Sequence, residues 1–372
     1  MIGNPFAARL LKFRKLLDER ALDAFLVAVP ENRYYLSGYG EEDLQLTESS
    51  GYLLIGQSKQ YLLTDFRYQE AAGQQAPDFE AVIYSEGPTQ VLPDLFSALD
   101  IERLGVEGHH LTHRKFEEIQ ESLTNVSSHA VVLAVDDLLE QLRVIKEPEE
   151  IERIKTSLAL TEKALGEVWE LLRPGLTEKA MAWEIERRIR EGGAEAVSFP
   201  PIVATGPNGA LPHAVPTDRE IAPGDAVILD LGSKLNHYCS DMTRTWIAGA
   251  PEKRLQEIYT IVRDAQAAAT DAVRAGKSSV EVDSVAREFI DKAGYGDYFG
   301  HGLGHGVGLA VHEKPGLRKR NPVALEKNMV VTIEPGIYLP GFGGVRLENM
   351  VRVTETGCEV LNRQDLFYRW QA

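Results

Sequence analysis

The sequence predicts an α/β domain over residues 1–136, followed over residues 137–372 by an α+β domain made of two similar halves. Three observations carry this. Short apolar runs alternate with amphipathic helical stretches through the first third of the chain. The remainder repeats its own order of elements. Two pairs of acids, Asp230 with Asp241 and Glu334 with Glu348, each bracket a turn-prone stretch, as the arms of a hairpin would.

Phe6, Leu10, Phe13 and Leu17 recur at helical spacing, so residues 5–20 read as an amphipathic helix. Residues 24–29 (AFLVAV) form a buried strand, and residues 32–38 a short turn of helix or a loop. Residues 51–56 and 60–64 read as two paired strands. A helix opens at Phe66, strands follow at 81–84 and 104–107, a helix at 115–123 and a strand at 130–135. His109, His110 and His113 are the polar cluster of this region and read as a surface loop and helix cap. The boundary falls within residues 136–148, where Pro148 with Glu149 and Glu150 marks a helix start. Ile151, Ile154, Leu158, Leu165, Val168 and Leu171 give that helix an apolar stripe, and Pro174-Gly175 stops it.

From there the chain repeats. Residues 174–194 match residues 275–295 at an offset of 101, aligning Gly175 with Gly276, Thr177 with Ser278, Ile189 with Ile290 and Gly193 with Gly294. Each copy is a capped helix ended by glycine, and each leads to an apolar strand that ends in an acid, Asp230 in one and Glu334 in the other. The halves are expected to pack about a pseudo-twofold axis with the acids where they meet. A turn at Leu235-Asn236 would set Asp230 directly opposite Asp241, and one centred on Gly341 would set Glu334 opposite Glu348. Opposed residues have Cβ atoms about 5 Å apart. Carboxylates that close repel unless one is protonated or cations lie between them. Two divalent ions about 3.5–4 Å apart fit that spacing. Residues 300–308 (GHGLGHGVG) hold imidazoles in a tight loop and supply a fifth candidate ligand. Four carboxylates and one imidazole suit Mn²⁺, Co²⁺ or Zn²⁺, and a shell without cysteine disfavours structural zinc.

Composition excludes other classes. The formal charge is −16, from 40 Lys and Arg against 56 Asp and Glu. That argues against nucleic acid, which needs clustered positive charge, and against anionic membranes. No run of ~18 apolar residues exists to span a bilayer, and residues 1–6 lack the order of a signal peptide. Two cysteines, Cys239 and Cys358, suit a reducing cytoplasm and are expected to be free. The glycine-rich loop lacks the ending of a phosphate loop. A single buried acid is ordinarily a satisfied acceptor, and a lone histidine is ordinarily structural. It is the coincidence of two acid pairs, a His-Gly loop and a duplication that points to a metal centre.

Residues 198–217 (SFPPIVATGPNGALPHAVPT), 224–246, 300–314 (GHGLGHGVGLAVHEK) and 331–350 (VTIEPGIYLPGFGGVRLENM) resemble the dinuclear metallopeptidases of the pita-bread fold. The nearest likeness is to Xaa-Pro aminopeptidases and Xaa-Pro dipeptidases (prolidases). Residues 32–38 resemble their creatinase-like N-terminal domain, and residues 142–148 their interdomain junction. The resemblance implies a creatinase-like domain over 1–136 and a pita-bread catalytic domain over 137–372. It implies two divalent ions per subunit, Mn²⁺ first and Co²⁺ or Zn²⁺ as alternatives, held by Asp230, Asp241, His305, Glu334 and Glu348. His213 and His312 fall where the family steadies substrate and tetrahedral intermediate. His301 and Arg346 fall at the rim of the pocket beyond the scissile bond, and Tyr338 near it. Asn349 departs from the pattern, since many relatives carry an acid there, which bears on metal affinity and not on activity.

The resemblance further implies hydrolysis of the Xaa-Pro bond in dipeptides or at peptide N-termini, in the cytoplasm and by a homodimer. A hydroxide bridging the metals would attack, with Glu334 passing the proton to the leaving nitrogen. A peptide bond to proline is a bent tertiary amide with no N–H, so a shallow pocket lined by His301 suits it. The alternatives are an aminopeptidase of other specificity, a metal-free binding module on the same fold and a creatinase-like hydrolase. The full set of ligands counts against the two metal-free readings. Methionine aminopeptidases share the ligands but usually lack the N-terminal domain.

Overall fold

The computed structural model describes residues 5–43, 45 and 47–368. Residues 1–4, part of the stretch read above for a leader, lie outside the described residues. The chain divides into two compact units, Met1–Arg143 and Val144–Ala372.

The first unit is built on a six-stranded sheet. Its order is Glu80–Tyr84, Gln60–Asp65, Tyr52–Gly56, Ala24–Val27, Arg103–Val106 and Val131–Ala134. The central hairpin strands pair antiparallel and the outer ones parallel. The helix Pro5–Glu19 buries Leu10, Phe13 and Leu17, as its spacing predicts. Residues 32–38 resolve into the helix Pro30–Ser37, closed by Gly38 in the left-handed region at φ 84°. A helix at Leu92–Ala98, which the sequence reading leaves unassigned, opens with proline in its first turn. The division between units falls after Arg143, later than residue 136, because residues 137–143 bond back to the first unit. Arg143 donates to Asn32 Oδ1 at 2.7 Å, Asn32 donates to Glu140 at 2.7 Å, and Tyr35 donates to the Leu142 carbonyl at 3.1 Å.

The second unit carries the duplication. Helices Pro148–Trp169 and Glu178–Glu191 precede the antiparallel strands Ile202–Thr205, Ala226–Leu231 and Met242–Ile247. Helices Lys253–Ala272 and Ser279–Lys292 precede Gly304–Gly306, Val330–Ile333 and Asn349–Val353, again antiparallel. A capping box of Glu147 and Glu150 opens the first long helix. The backbones repeat in detail. Gly175 N–H reaches Ile221 O at 2.9 Å, and Gly276 N–H reaches Leu325 O at 2.8 Å. Ile258, Val262, Ala286 and Ile290 from the second helix pair pack with Val331, Ile333 and Val351 of the strands in one apolar core.

The two acid-bearing hairpins differ from expectation in one respect. In the aspartate ribbon the turn is Asn236-His237, both left-handed at φ 50° and 69°. This is the two-residue turn whose twist matches that of its flanking strands. Thr243, not Asp241, therefore lies across from Asp230. The expected direct opposition of the aspartates is displaced by two residues. Because side chains alternate with a period of two, both acids keep the same face. The glutamate ribbon has the predicted register. Ile333 faces Asn349 on one side and Gly336 faces Arg346 on the other, which sets Glu334 opposite Glu348.

Candidate metal centre

Asp230 and Asp241 come from the aspartate ribbon, Glu334 and Glu348 from the glutamate ribbon, and His305 from the short strand Gly304–Gly306. That strand lies so close to its neighbour that a Cβ on Gly304 would meet Thr332 O at 2.0 Å, so only glycine fits beside the imidazole. Asp230, Asp241 and Glu348 are buried, and Glu334 and His305 are nearly so. Ligand atoms of Asp241, His305 and Glu348 lie within 4.8 Å of one another. His305 Nε2 is 3.6 Å from Asp241 Oδ2 and 3.4 Å from Glu334 Oε1. Its Nδ1 is 3.0 Å from the Gly306 carbonyl. A proton on Nδ1 makes that bond and leaves the Nε2 lone pair facing the acids.

Burial and mutual repulsion disturb these groups together. Asp241 is pushed well above the usual carboxylate range by burial, then by Glu348, Asp230 and Glu334. Glu334 is raised by burial and by Glu348. Burial and Asp230 lift Glu348 to about 8, and burial lowers His305 to about 4. Asp230 Oδ1, Asp241 Oδ1 and Glu348 Oε1 are buried without a hydrogen-bond partner. Such atoms are costly unless something cationic meets them. Oxygen-rich, with one imidazole and no thiolate, the set fits hard or borderline divalent cations.

Two threonines brace the acids. Thr243 Oγ1 donates to Glu348 Oε2 at 2.8 Å and accepts from Arg346 Nε at 3.2 Å. Thr332 Oγ1 donates to Glu334 Oε1 at 3.2 Å and accepts from the His305 N–H at 3.1 Å. Neither is among the site residues read from the sequence. The signal was available, because Thr332 lies two residues before Glu334 on its strand and so on the same face.

Arg346, expected at the rim, is instead buried behind the acids. Its position on the strand Gly343–Arg346 aims it inward, where its guanidinium donates to Asp230 Oδ2. It also donates to the Tyr338 hydroxyl at 2.9 Å and the Pro212 carbonyl at 3.1 Å. Tyr338 OH lies 2.8 Å from His301 Nε2, whose Nδ1 bonds the Gly302 carbonyl at 2.7 Å. With the proton on Nδ1, a continuous polar line runs from Asp230 through Arg346 and Tyr338 to His301. Burial and Arg346 lower the His301 pKa to about 4, so the ring is neutral and accepts from Tyr338. His312 is exposed, and its ring stands edge-on to His305 with centroids 4.3 Å apart. Burial and His213 lower its pKa. His213, exposed on its loop, acts electrostatically on both His301 and His312. Asn349 is tied down by the buried Arg244, which donates to its Oδ1 at 2.9 Å and to the Glu348 carbonyl at 2.5 Å.

The family model described as Metallopeptidase family M24 matches residues 152–355, and the one described as Creatinase/Prolidase N-terminal domain matches residues 9–145. The chain belongs to metallopeptidase family M24. It is 37% identical to an Xaa-Pro dipeptidase of Pyrococcus furiosus, over 96% of this chain and 98% of that one. Among solved structures, the Xaa-Pro dipeptidase from Bacillus anthracis superposes with a TM-score of 0.90 at 36% identity, covering 97% and 99% of the two chains. The X-Pro aminopeptidase from Thermotoga maritima gives 0.83 at 37% identity, covering 93% and 97%. As a family M24 member the second unit has the pita-bread fold, and its two halves are the duplication described above. Neither Cys239 nor Cys358 is in a disulfide, and among the described residues no helix is long and apolar enough to cross a membrane.

Proposed function

We propose that this metallopeptidase hydrolyses the Xaa-Pro bond of dipeptides or of short peptides at their N-terminus. The reading rests on one observation above all. Four acids and an imidazole converge in a largely buried cluster where three carboxylate oxygens lack any partner. Likeness to relatives named for Xaa-Pro substrates supports the proline preference.

Asp230, Asp241, His305, Glu334 and Glu348 would hold two divalent cations, which when bound supply Lewis acidity and ease the deprotonation of water. Mn²⁺ is the proposed ion, since the donors are mostly hard oxygens, with Co²⁺ or Zn²⁺ as substitutes. Glu334 takes a proton from the attacking water at its carboxylate and returns it to the departing proline nitrogen. A peptide nitrogen leaves as an amine only once a proton reaches it, and that of an Xaa-Pro bond carries none of its own. His213 and His312, exposed on opposite loops, offer N–H donors to the developing oxyanion. His301, held neutral by burial and by Arg346, borders the proline. A homodimer in the cytoplasm completes the reading. Two cysteines without a disulfide agree with a reducing compartment, and the dimer rests on the resemblance alone.

The test is hydrolysis of Xaa-Pro, Xaa-Pro-Yaa and proline-free peptides after reconstitution with Mn²⁺, Co²⁺ or Zn²⁺. Cleavage of both proline substrates and neither control is expected. Equal cleavage of the controls would replace the proline preference with a general aminopeptidase.

A further inference from the structure

His213 sits on an exposed loop, residues 205–217, and something must hold that loop for the imidazole to meet a substrate reproducibly. On its inner side the Pro212 carbonyl rests on Arg346. A Cβ on Gly344 would meet Gly209 O at 2.2 Å, so the loop also packs backbone to backbone on the glutamate ribbon. On its outer side lies Glu178, fully buried as the first residue of the helix Glu178–Glu191. Oε1 accepts the Thr205 N–H at 2.7 Å. Oε2 accepts from Asn208 Nδ2 at 2.8 Å, the Thr217 N–H at 2.8 Å and the Thr217 hydroxyl at 2.6 Å. One side chain thus grips the loop at Thr205 and Asn208, ahead of His213, and at Thr217, beyond it.

The duplication supplies an internal control. Ser279 occupies the equivalent place in the second half, 101 residues on. Both positions make the same backbone bond, Glu178 N–H to Arg219 O at 3.1 Å and Ser279 N–H to Val323 O at 2.9 Å. Both follow an equivalent bridge, Thr177 with Glu220 and Ser278 with Ala324. The Ser279 side chain accepts the Val323 N–H at 3.1 Å. The helix start is therefore satisfied by a serine. What the glutamate adds are the bonds to the loop that carries His213.

We propose that Glu178 is a positioning residue for peptide hydrolysis, clamping residues 205–217 so that His213 is presented to the substrate. This rests on the peptidase reading above and on the place of His213 in it. Glu178→Ser is the informative variant, because the other half of the molecule folds with that residue. Loss of kcat by roughly 10- to 100-fold is expected, the scale on which misplacement of a catalytic contact costs rate. Metal content should stay unchanged. In a His213→Ala background the same substitution should have almost no further effect, since Glu178 acts through His213. Amide exchange at Thr205 and Thr217 should quicken in Glu178→Ser, and thermal unfolding of the metal-loaded protein confirms that the variant is folded.

Losses that multiply in the double variant, parallel loss of metal, or unchanged exchange at both amides would each overturn the clamp. If the wild-type protein cleaves no Xaa-Pro substrate, the peptidase reading fails, and the exchange measurement still decides whether Glu178 holds the loop. Glu178→Gln gives the second variant. Its amide places donors against Thr205 or Thr217 N–H, so exchange should quicken there as well.

Discussion

The two halves of the catalytic unit share a backbone and divide the chemistry unequally. Each has a helix pair, a bridged helix start and a hairpin bearing two acids. The second half adds His301, His305, His312, Tyr338 and Arg346, whereas the first adds His213 alone. The loops that present these groups are also held differently. Asp283, buried on the helix Ser279–Lys292, pairs with Arg287 at 2.8 Å and accepts the Leu303 N–H at 3.1 Å. Arg287 then donates to the His301 carbonyl at 2.8 Å. The first half uses Glu178 with neutral donors. Duplication thus built a symmetric cradle, and side-chain divergence placed the working groups mainly on one side of it.

Substitution at the two ribbons tests the symmetry most severely. Asp241→Ala and Glu348→Ala should each abolish bound metal and detectable hydrolysis, measured by metal analysis and peptide cleavage. Full activity of either in metal-depleted buffer would end the dinuclear reading. The asymmetry is tested by His312→Ala, for which turnover should fall roughly 10²–10³-fold, as for the loss of an oxyanion donor, with metal retained. Arg346→Met removes a brace that crosses from one half to the other. A loss of roughly 10–100-fold in activity or metal affinity is expected, and titration with Mn²⁺ would measure it. Thr243→Val and Thr332→Val remove equivalent hydroxyls, each worth about 1 kcal/mol or ~fivefold. Unequal losses in kcat would show which of the two glutamates, Glu348 or Glu334, depends more on its hydroxyl donor.

The mildest effect is on stability. In metal-depleted protein Glu348 is lifted from 4.5 to about 8. Between those values the folded form binds more protons than the unfolded, so stability falls as pH rises. The contribution is whole below pH 4.5 and lost as pH passes 8. The unfolding temperature should drop by a few degrees between pH 5 and pH 8, and added Mn²⁺ should reverse the drop most strongly at the higher pH. A flat profile would show that the buried acids are relieved some other way.

Much of this was legible in the sequence. Period and punctuation gave the sheet strands and the main helices, and the duplication was visible in Gly175 and Gly276 before any coordinate. The four acids and the imidazole stood out because acids rarely end apolar strands in matched pairs. What could not be read were contacts made across the fold. Nothing local to Arg346 says that its guanidinium will close on Asp230, more than a hundred residues earlier. Glu178 looks like any acid in the first turn of a helix, where the dipole favours it. The aspartate register differs by two because Leu235-Asn236 predicts a turn one residue earlier than Asn236-His237, the two left-handed residues that form it.

That tight turn also limits how the protein can vary. The Asn236-His237 pair fixes which residues of the ribbon look inward, and it does so by counting. A slip of one residue in the pairing of Ala226–Leu231 with Met242–Ile247 would take one aspartate off the inner face, whereas a slip of two would keep both on it. A residue inserted at the turn is harmless only where a longer loop takes it up and that pairing is kept.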